Sequence, residues 1–508
     1  MKEKIVNLIA NHVEGMTAEE IATFIEIPPK QELGDYAFPC FRLAKTMHKA
    51  PNLIAADIKE AIGDIDFLDK IDVQGAYLNF FVKKNIFVQT MIESALKDNF
   101  GGSDEGADKV ICIDYSSPNV AKNFHVGHLR TTIIGNSLYK IYSKLGYKVI
   151  RINHLGDWGT QFGKLIVAYK NWGTKEAVEK DGVAELMRLY VKFHEEADQN
   201  PELVDEARAW FSKMEHGDEE ALSIWQWFKD ISLVEYKRTY DLLGMDFDYY
   251  LGESFYRDKC QEVVDQLTNA NLLKESEGAM IVDLSDYDMA PCIVTKKDGS
   301  SIYATRDLAA IFYRKNTYHF TKCLYVTGQE QKLHFAQVFK VVELLGNDWA
   351  KDSLVHIPYG LVSLEGAKLS TRSGNIIYAE DILHDAIKKS FEIISEKSPN
   401  LPDKEEVAKI VGVGSVLFND LYNQRIKDVS FSWDKVLNFD GETGPYVQYT
   451  HARCSSVVRL AENFDPAKPV DYSTISEPDA MNLLKEISRF PKVVSASTGT
   501  ALKSRVPF

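Results

Sequence analysis

Asp114-Tyr-Ser-Ser-Pro-Asn-Val-Ala-Lys-Asn-Phe-His-Val-Gly-His-Leu-Arg-Thr-Thr-Ile-Ile-Gly135 decides how this chain is read. Ahead of it, Lys109-Val-Ile-Cys-Ile-Asp114 is a short apolar run rich in β-branched residues, which predicts a buried strand. Further on, Leu129, Ile133, Leu138, Ile141 and Leu145 recur at helical spacing until Gly146. Strand, polar turn and helix start therefore follow one another, with His125 and His128 where the helix begins. At i and i+3 the two imidazoles share a face of the first helical turn, and Gly127 leaves the backbone open to a ligand. A helix N-terminus attracts anions through its free N–H groups and its dipole, so imidazole donors beside it make a phosphate site for a nucleotide. A metal is the competing reading of His-x-x-His, but the chain has neither His-Glu-x-x-His nor Cys-x-x-Cys.

Working outward, Lys148-Val-Ile-Arg-Ile152 predicts a second buried strand after the helix, completing a parallel βαβ unit. His154-Leu-Gly-Asp-Trp-Gly-Thr-Gln-Phe-Gly163 follows its C-terminal end, where open α/β sheets bind their ligands. Residues 175 to about 250 turn charged and helical, an insertion in which Trp225 and Trp227 read as core anchors. Beyond it, Ser301-Ile-Tyr-Ala-Thr-Arg-Asp307 reads as a strand end turning into a helix, with Tyr303 and Asp307 four apart on one face. Asp307 also suits a helix cap. Cys323-Leu-Tyr-Val-Thr-Gly328 is a further buried strand, and Gln329-Glu-Gln-Lys-Leu-His334 opens a helix with Phe335, Val338, Val342 and Leu345 facing inward.

Flanking this centre, residues 1–105 form a first module, residues 106–385 the sheet domain and residues 386–508 a helical region. In the first module Ile5, Leu8, Ile9 and Val13 predict a helix, Leu53 to Ile62 another, and the alternating Ile71 to Phe81 a strand. Gly101-Gly-Ser-Asp-Glu-Gly106 is the clearest linker. At the other end, Ser497 to Phe508 does not read as a helix.

Composition narrows the class. With 508 residues and 45% hydrophobic content the chain holds two to four domains around ample cores. No apolar run is long enough to span a membrane, and Glu3, Glu14, Glu19 and Glu20 fit neither a signal nor a transit peptide, so a cytoplasmic protein is expected. Six cysteines lack paired spacing, which argues against a disulfide framework or a zinc ribbon. A net charge of -15 confines any nucleic-acid binding to local basic surfaces.

His125-Val-Gly-His128 resembles the histidine signature of class I aminoacyl-tRNA synthetases, and Ser116-Ser-Pro-Asn-Val-Ala-Lys122 before it resembles the arginyl-tRNA synthetases in particular. The stretches 154–163, 301–310 and Gly441-Glu-Thr-Gly-Pro-Tyr-Val-Gln-Tyr-Thr-His-Ala-Arg453 are similar to the same family. The resemblance implies a multidomain α/β protein: a Rossmann-like parallel-sheet catalytic domain with a helical insertion, an α+β N-terminal domain and a C-terminal helical bundle. It implies activation of L-arginine with ATP, accompanied by Mg²⁺, and transfer to the 3′ end of tRNA(Arg). No tightly bound cofactor, no protein metal site, no membrane partner and a monomeric state are expected.

Residue by residue, the resemblance places His125, Gly127, His128, Lys368 and Ser370 on ATP, with His125, His128, Lys122, Lys368 and Ser370 as the catalytic set. The loop Glu365-Gly-Ala-Lys-Leu-Ser-Thr-Arg-Ser-Gly374 is similar to the family's Lys-Met-Ser-Lys-Ser loop, with Thr371 in place of the second lysine and Lys122 taking over its charge. Asp114, Ser117, Asn119, Tyr303, Asp307 and Gln331 match the arginine pocket, and Asp114 with Asp307 offer carboxylates to the guanidinium fork. Tyr77 and Asn79 match tRNA contacts of the N-terminal domain. The insertion is too short for the hydrolytic editing domain of the isoleucine and valine enzymes, which polar discrimination against neutral analogues makes unnecessary. Family bundles continue past residue 508, so the C-terminal domain is expected to be incomplete.

Overall fold

A computed structural model describes residues 1–297, 302–364, 378–432, 436–438, 441–461 and 468–502. The chain divides into two compact units, one of residues 1–102 with 463–493 and the other of residues 103–462 with 494–508.

In the larger unit the β-branched runs become a five-stranded sheet: β1 (Val110–Asp114), β2 (Lys148–Asn153), β3 (Tyr249–Tyr250), β4 (Lys322–Gly328) and β5 (Leu354–Tyr359). Every pairing is parallel and the order is β5-β4-β1-β2-β3. Such a sheet is buried on both faces, which is why its strands are apolar runs and not alternating ones. Helix α1 (Val126–Lys144) and α2 (Thr160–Trp172) follow β1 and β2, and the insertion supplies four helices ending in α3 (Glu219–Leu243). After a small antiparallel sheet (Leu273–Ser276, Ala279–Val282, Cys292–Thr295) come α4 (Tyr303–Tyr318) and α5 (Lys332–Leu344). Ile302 is irregular, and Ser301 with the residues just before it, where the sequence placed a strand end, lies outside the described residues. Two apolar cores form: Ile113, Leu129, Ile133, Phe162 and Phe228 belong to one, Ile152, Leu308, Tyr325 and Val338 to the other. Strand order reverses direction between β1 and β4, and the crevice at that switch point is where a ligand belongs.

The smaller unit packs helices Lys2–Ala10, Pro51–Ile62 and their neighbours on a three-stranded antiparallel sheet around Ile5, Ile9, Phe38, Leu78 and Phe80. Ile71 to Phe81 is not one strand. It is a hairpin, Leu68–Gln74 against Tyr77–Val82, turning at Gly75 with φ +61°. At the C-terminus, Pro478–Leu502 is a single helix, so Ser497 to Leu502 are helical where the sequence predicted none.

Candidate active site

The turn after β1 carries three non-glycine residues in the left-handed region: Ser116 (φ +69°), Ser117 (φ +47°) and Ala121 (φ +60°). Each costs about 1 kcal/mol or more unless the surroundings over-determine it. They do. Ser116 N–H donates to Thr131 Oγ1 (3.2 Å), and Ser116 Oγ lies 2.7 Å from the Tyr240 hydroxyl. Ala121 N–H donates to Ser232 Oγ (3.0 Å), and the Tyr236 hydroxyl lies 2.7 Å from the carbonyls of both Asn119 and Lys122. Ser232, Tyr236 and Tyr240 recur every fourth residue along α3, so the insertion's last helix braces the turn. Gly156 closes it from the second turn, since a Cβ there would sit 2.1 Å from Asn119 Oδ1.

The turn opens into a cavity of about 810 Å³ lined by Asp114, Ser117, Asn119, His125, Gly127, His128, Tyr303, Asp307 and Gln331 among others. Nine of the residues singled out in the sequence are thus brought together. At its floor the rings of His125 and His128 stack with centroids 3.8 Å apart. Gly127 N–H donates to His125 Nδ1 (3.1 Å) and His125 N–H to His128 Nδ1 (3.3 Å). Burial lowers the pKa of both imidazoles; the Lys122 ammonium adds to this at each, and His125 itself at His128. With Nδ1 occupied, each ring is a neutral Nε2–H donor.

Asp114 is committed within the protein. Its Oδ1 accepts from the Ser117 hydroxyl (2.8 Å) and its Oδ2 is ion-paired with Arg314 Nη1 (2.8 Å). Arg314 is fully buried between the rings of Tyr256 and Tyr325, with Nη2 3.1 Å from His154 Nδ1. Asp307, one turn into α4, accepts from His334 Nε2–H (2.6 Å). Tyr303 stands 59% exposed at the start of that helix.

Glu253 completes this wall, and the sequence reading missed it. It follows β3, pairs with Arg306, and lines the same cavity. Burial pushes its carboxyl up to about 7, Asp307 and Asp157 adding to the shift and Arg306 opposing it. Asp157 lies beneath, fully buried, accepting from Lys229 Nζ (2.7 Å) and from Ser254 N–H (2.8 Å) and Oγ–H (2.7 Å).

Lys122 is exposed and does not line the cavity, acting on the histidines through its charge. Lys368 and Ser370 lie outside the described residues. Tyr77 and Asn79 belong to the other unit: Tyr77 is exposed, edge-on to Phe41 at 6.0 Å, whereas Asn79 is buried at 3% exposure within its strand. The resemblance matches both to tRNA contacts, and in this fold Tyr77 is presented to solvent while Asn79 is not.

Three family models match: tRNA synthetases class I (R), catalytic domain, over residues 91–433; the arginyl tRNA synthetase N terminal domain over 2–82; and the DALR anticodon binding domain over 447–504. The chain is 56% identical over 495 residues to the arginine–tRNA ligase of Alkaliphilus metalliredigens, covering 97% of itself and 87% of that protein. To the ligase of Clostridioides difficile it is 55% identical over 493 residues with the same coverages. Among solved structures, the arginyl-tRNA synthetase of Thermus thermophilus shares the fold with a TM-score of 0.79 at 23% identity, covering 99% of this chain and 89% of that one. The chain therefore belongs to the arginyl-tRNA synthetases and catalyses the ATP-dependent attachment of arginine to tRNA(Arg) for protein synthesis.

Proposed function

We propose that arginine and ATP lie end to end in the cavity, with the reacting carboxylate and α-phosphate meeting at the histidine turn. His125 and His128 donate from Nε2 to the triphosphate beside the N-terminus of α1, where Gly127 lets the backbone approach. Lys122, Lys368 and Ser370 take the departing pyrophosphate. Two anions must react, so screening charge and holding them in line is the main task of the site. Mg²⁺ enters on the phosphates; among the described residues no cluster of three His, Cys, Asp or Glu side chains is placed to hold a metal.

Arginine's two ends go to different carboxylates. Its α-ammonium faces Asp114, Ser117 and Asn119 beside the histidine turn, where single hydrogen bonds suffice. Its guanidinium faces Tyr303, Asp307, Gln331 and Glu253, further along the wall. Both oxygens of Asp114 are engaged, Oδ1 by Ser117 and Oδ2 by the fully buried Arg314, whereas His334 engages only Oδ2 of Asp307, so the planar fork falls to Asp307 with Glu253 beside it and not to Asp114 with Asp307.

Glu253 gives this reading a pH signature. Below about 7 its carboxyl is protonated and offers a cation no anionic acceptor; above about 7 it is ionised. Arginine KM should therefore rise about tenfold per unit as pH falls below that value, and Glu253→Gln should flatten the dependence. A wild-type arginine KM constant from pH 6 to 8 excludes Glu253 from the guanidinium site.

The single observation carrying the proposal is that the histidine turn and the Tyr303, Asp307 and Gln331 wall open into one cavity. Residues 106–385 form its catalytic domain, 1–105 contact tRNA through Tyr77, and 386–508 serve anticodon recognition in a cytoplasmic monomer. No helix among the described residues is long and apolar enough to cross a membrane. The assay is exchange of pyrophosphate into ATP with each amino acid, with and without total tRNA. Exchange supported by arginine alone is expected, with stimulation by tRNA; exchange supported equally by lysine or citrulline overturns the pocket assignment.

A further inference from the structure

Two residues beyond His128, Arg130 borders the same cavity but is 1% exposed, its guanidinium taken up by other parts of the protein. Its Nη1 donates to the carbonyls of Gly360 (2.9 Å) and Leu361 (3.2 Å), its Nη2 to the carbonyl of Arg425 (3.1 Å), and its Nε lies 3.4 Å from Asp420 Oδ1. Asp420, its side chain 11% exposed, is on α6 (Lys404–Tyr422), a helix of the C-terminal region. A buried guanidinium needs such a counter-charge. Arg425 is a second buried guanidinium, donating from Nη1 to the carbonyl of Pro358 (2.5 Å).

These contacts converge on one short segment. Gly360 to Leu364 leaves the end of β5 and, in the chain, stands immediately ahead of the loop 365–374. From the opposite side, Gly360 N–H donates to the Arg425 carbonyl (2.9 Å), Leu361 N–H to Asp428 Oδ1 (2.7 Å) and Val429 N–H to the Leu361 carbonyl (2.9 Å). Val362–Leu364 then pairs in parallel with Val429–Phe431. A Cβ on Gly360 would lie 2.5 Å from the Lys427 carbonyl carbon, so the two backbones are in direct contact. The segment is clamped between the helix bearing the histidines and the strand that follows α6.

We propose that Arg130, neutralised by Asp420, is a positioning residue that sets segment 360–364 against the histidine helix and transmits the placement of α6 to the ATP site. Its guanidinium contacts are to Gly360, Leu361, Arg425 and Asp420, so it acts through the segment it holds. A rigid guanidinium gripping three carbonyls from two segments fixes their spacing as an ammonium cannot. A shift of about 1 Å between groups holding the triphosphate is enough to lower the rate about 10²-fold. Arginine contacts at Tyr303 and Asp307 sit on α4 and are not carried by the clamp. The inference rests on His125 and His128 binding the triphosphate, and His128→Ala in the same assay reports on that assignment separately.

The test is steady-state pyrophosphate exchange on the full chain, with thermal melting of each variant. Arg130→Lys keeps the charge and loses the fork, and should lower kcat at least about tenfold while arginine KM stays within about twofold. Asp420→Asn should lower both melting temperature and kcat. The double variant Arg130→Met with Asp420→Leu removes both charges, so it should melt above Asp420→Asn while kcat stays low. Recovery of kcat together with melting temperature in the double variant makes the pair merely structural and overturns the proposal. So does an Arg130→Lys enzyme of wild-type kcat, or one whose arginine KM rises as much as its kcat falls.

Discussion

Replacing His128 with alanine is expected to lower the kcat of arginine-dependent pyrophosphate exchange about 10²–10³-fold, the cost of deleting one preorganised donor to a transition-state oxyanion. Arginine KM should stay within about twofold, because the guanidinium wall is built on α4, the β4–α5 turn and the turn after β3. His125→Ala should cost nearly as much. The rings stack at 3.8 Å and the His125 N–H fixes the His128 tautomer, so the two act as a unit and the double variant should fall little below either single one. Burial keeps both imidazoles neutral below the ordinary histidine range, so kcat should show no acid-side break near about 6.5, where an unperturbed histidine titrates. Phe124 packs against His128 at 5.2 Å, so melting curves must accompany the kinetics. A loss below about tenfold with unchanged melting would remove His128 from the phosphate site.

The strand, turn and helix of that site were legible because each left a local mark: a β-branched run, a polar turn, and apolar spacing that starts at the histidines. Tyr303 and Asp307 were legible as one face of a helix for the same reason. What escaped was long-range. Glu253 sits in an unremarkable Gly-Glu-Ser sequence, and only β3 docking beside β2 carries it to the cavity. Arg314 lies seven residues after Asp307 on the same helical face, a signal that α4 has a polar side turned inward. Ser232, Tyr236 and Tyr240 left a similar stripe on α3. The missed hairpin had its mark as well. Apolar positions fall on odd numbers at Ile71 and Val73 and on even numbers at Leu78, Phe80 and Val82, and that change of phase is a two-residue turn at Gly75 and Ala76.

Asp307→Asn should raise arginine KM about 10²–10³-fold, the range for removing one partner of a desolvated charge pair, and leave ATP KM unchanged. Asp307 Oδ2 is held by His334, which fixes the carboxylate plane and leaves Oδ1 for the incoming fork. An amide at this position loses the charge and, with its oxygen kept by His334, turns an NH₂ donor toward the guanidinium. Selectivity should shift in step: citrulline, neutral and nearly the shape of arginine, leaves the wild-type carboxylate unpaired but not the amide, so its deficit relative to arginine should shrink in the variant. Asp114→Asn provides the contrast. Arg314 is fully buried on that carboxylate, and stripping a buried cation of its partner costs about 3–5 kcal/mol of stability. The expected signature at Asp114 is a lowered melting temperature without improved use of citrulline. If Asp114→Asn melts like the wild type and admits citrulline, the fork belongs to Asp114, and the assignment of arginine's two ends has to be reversed.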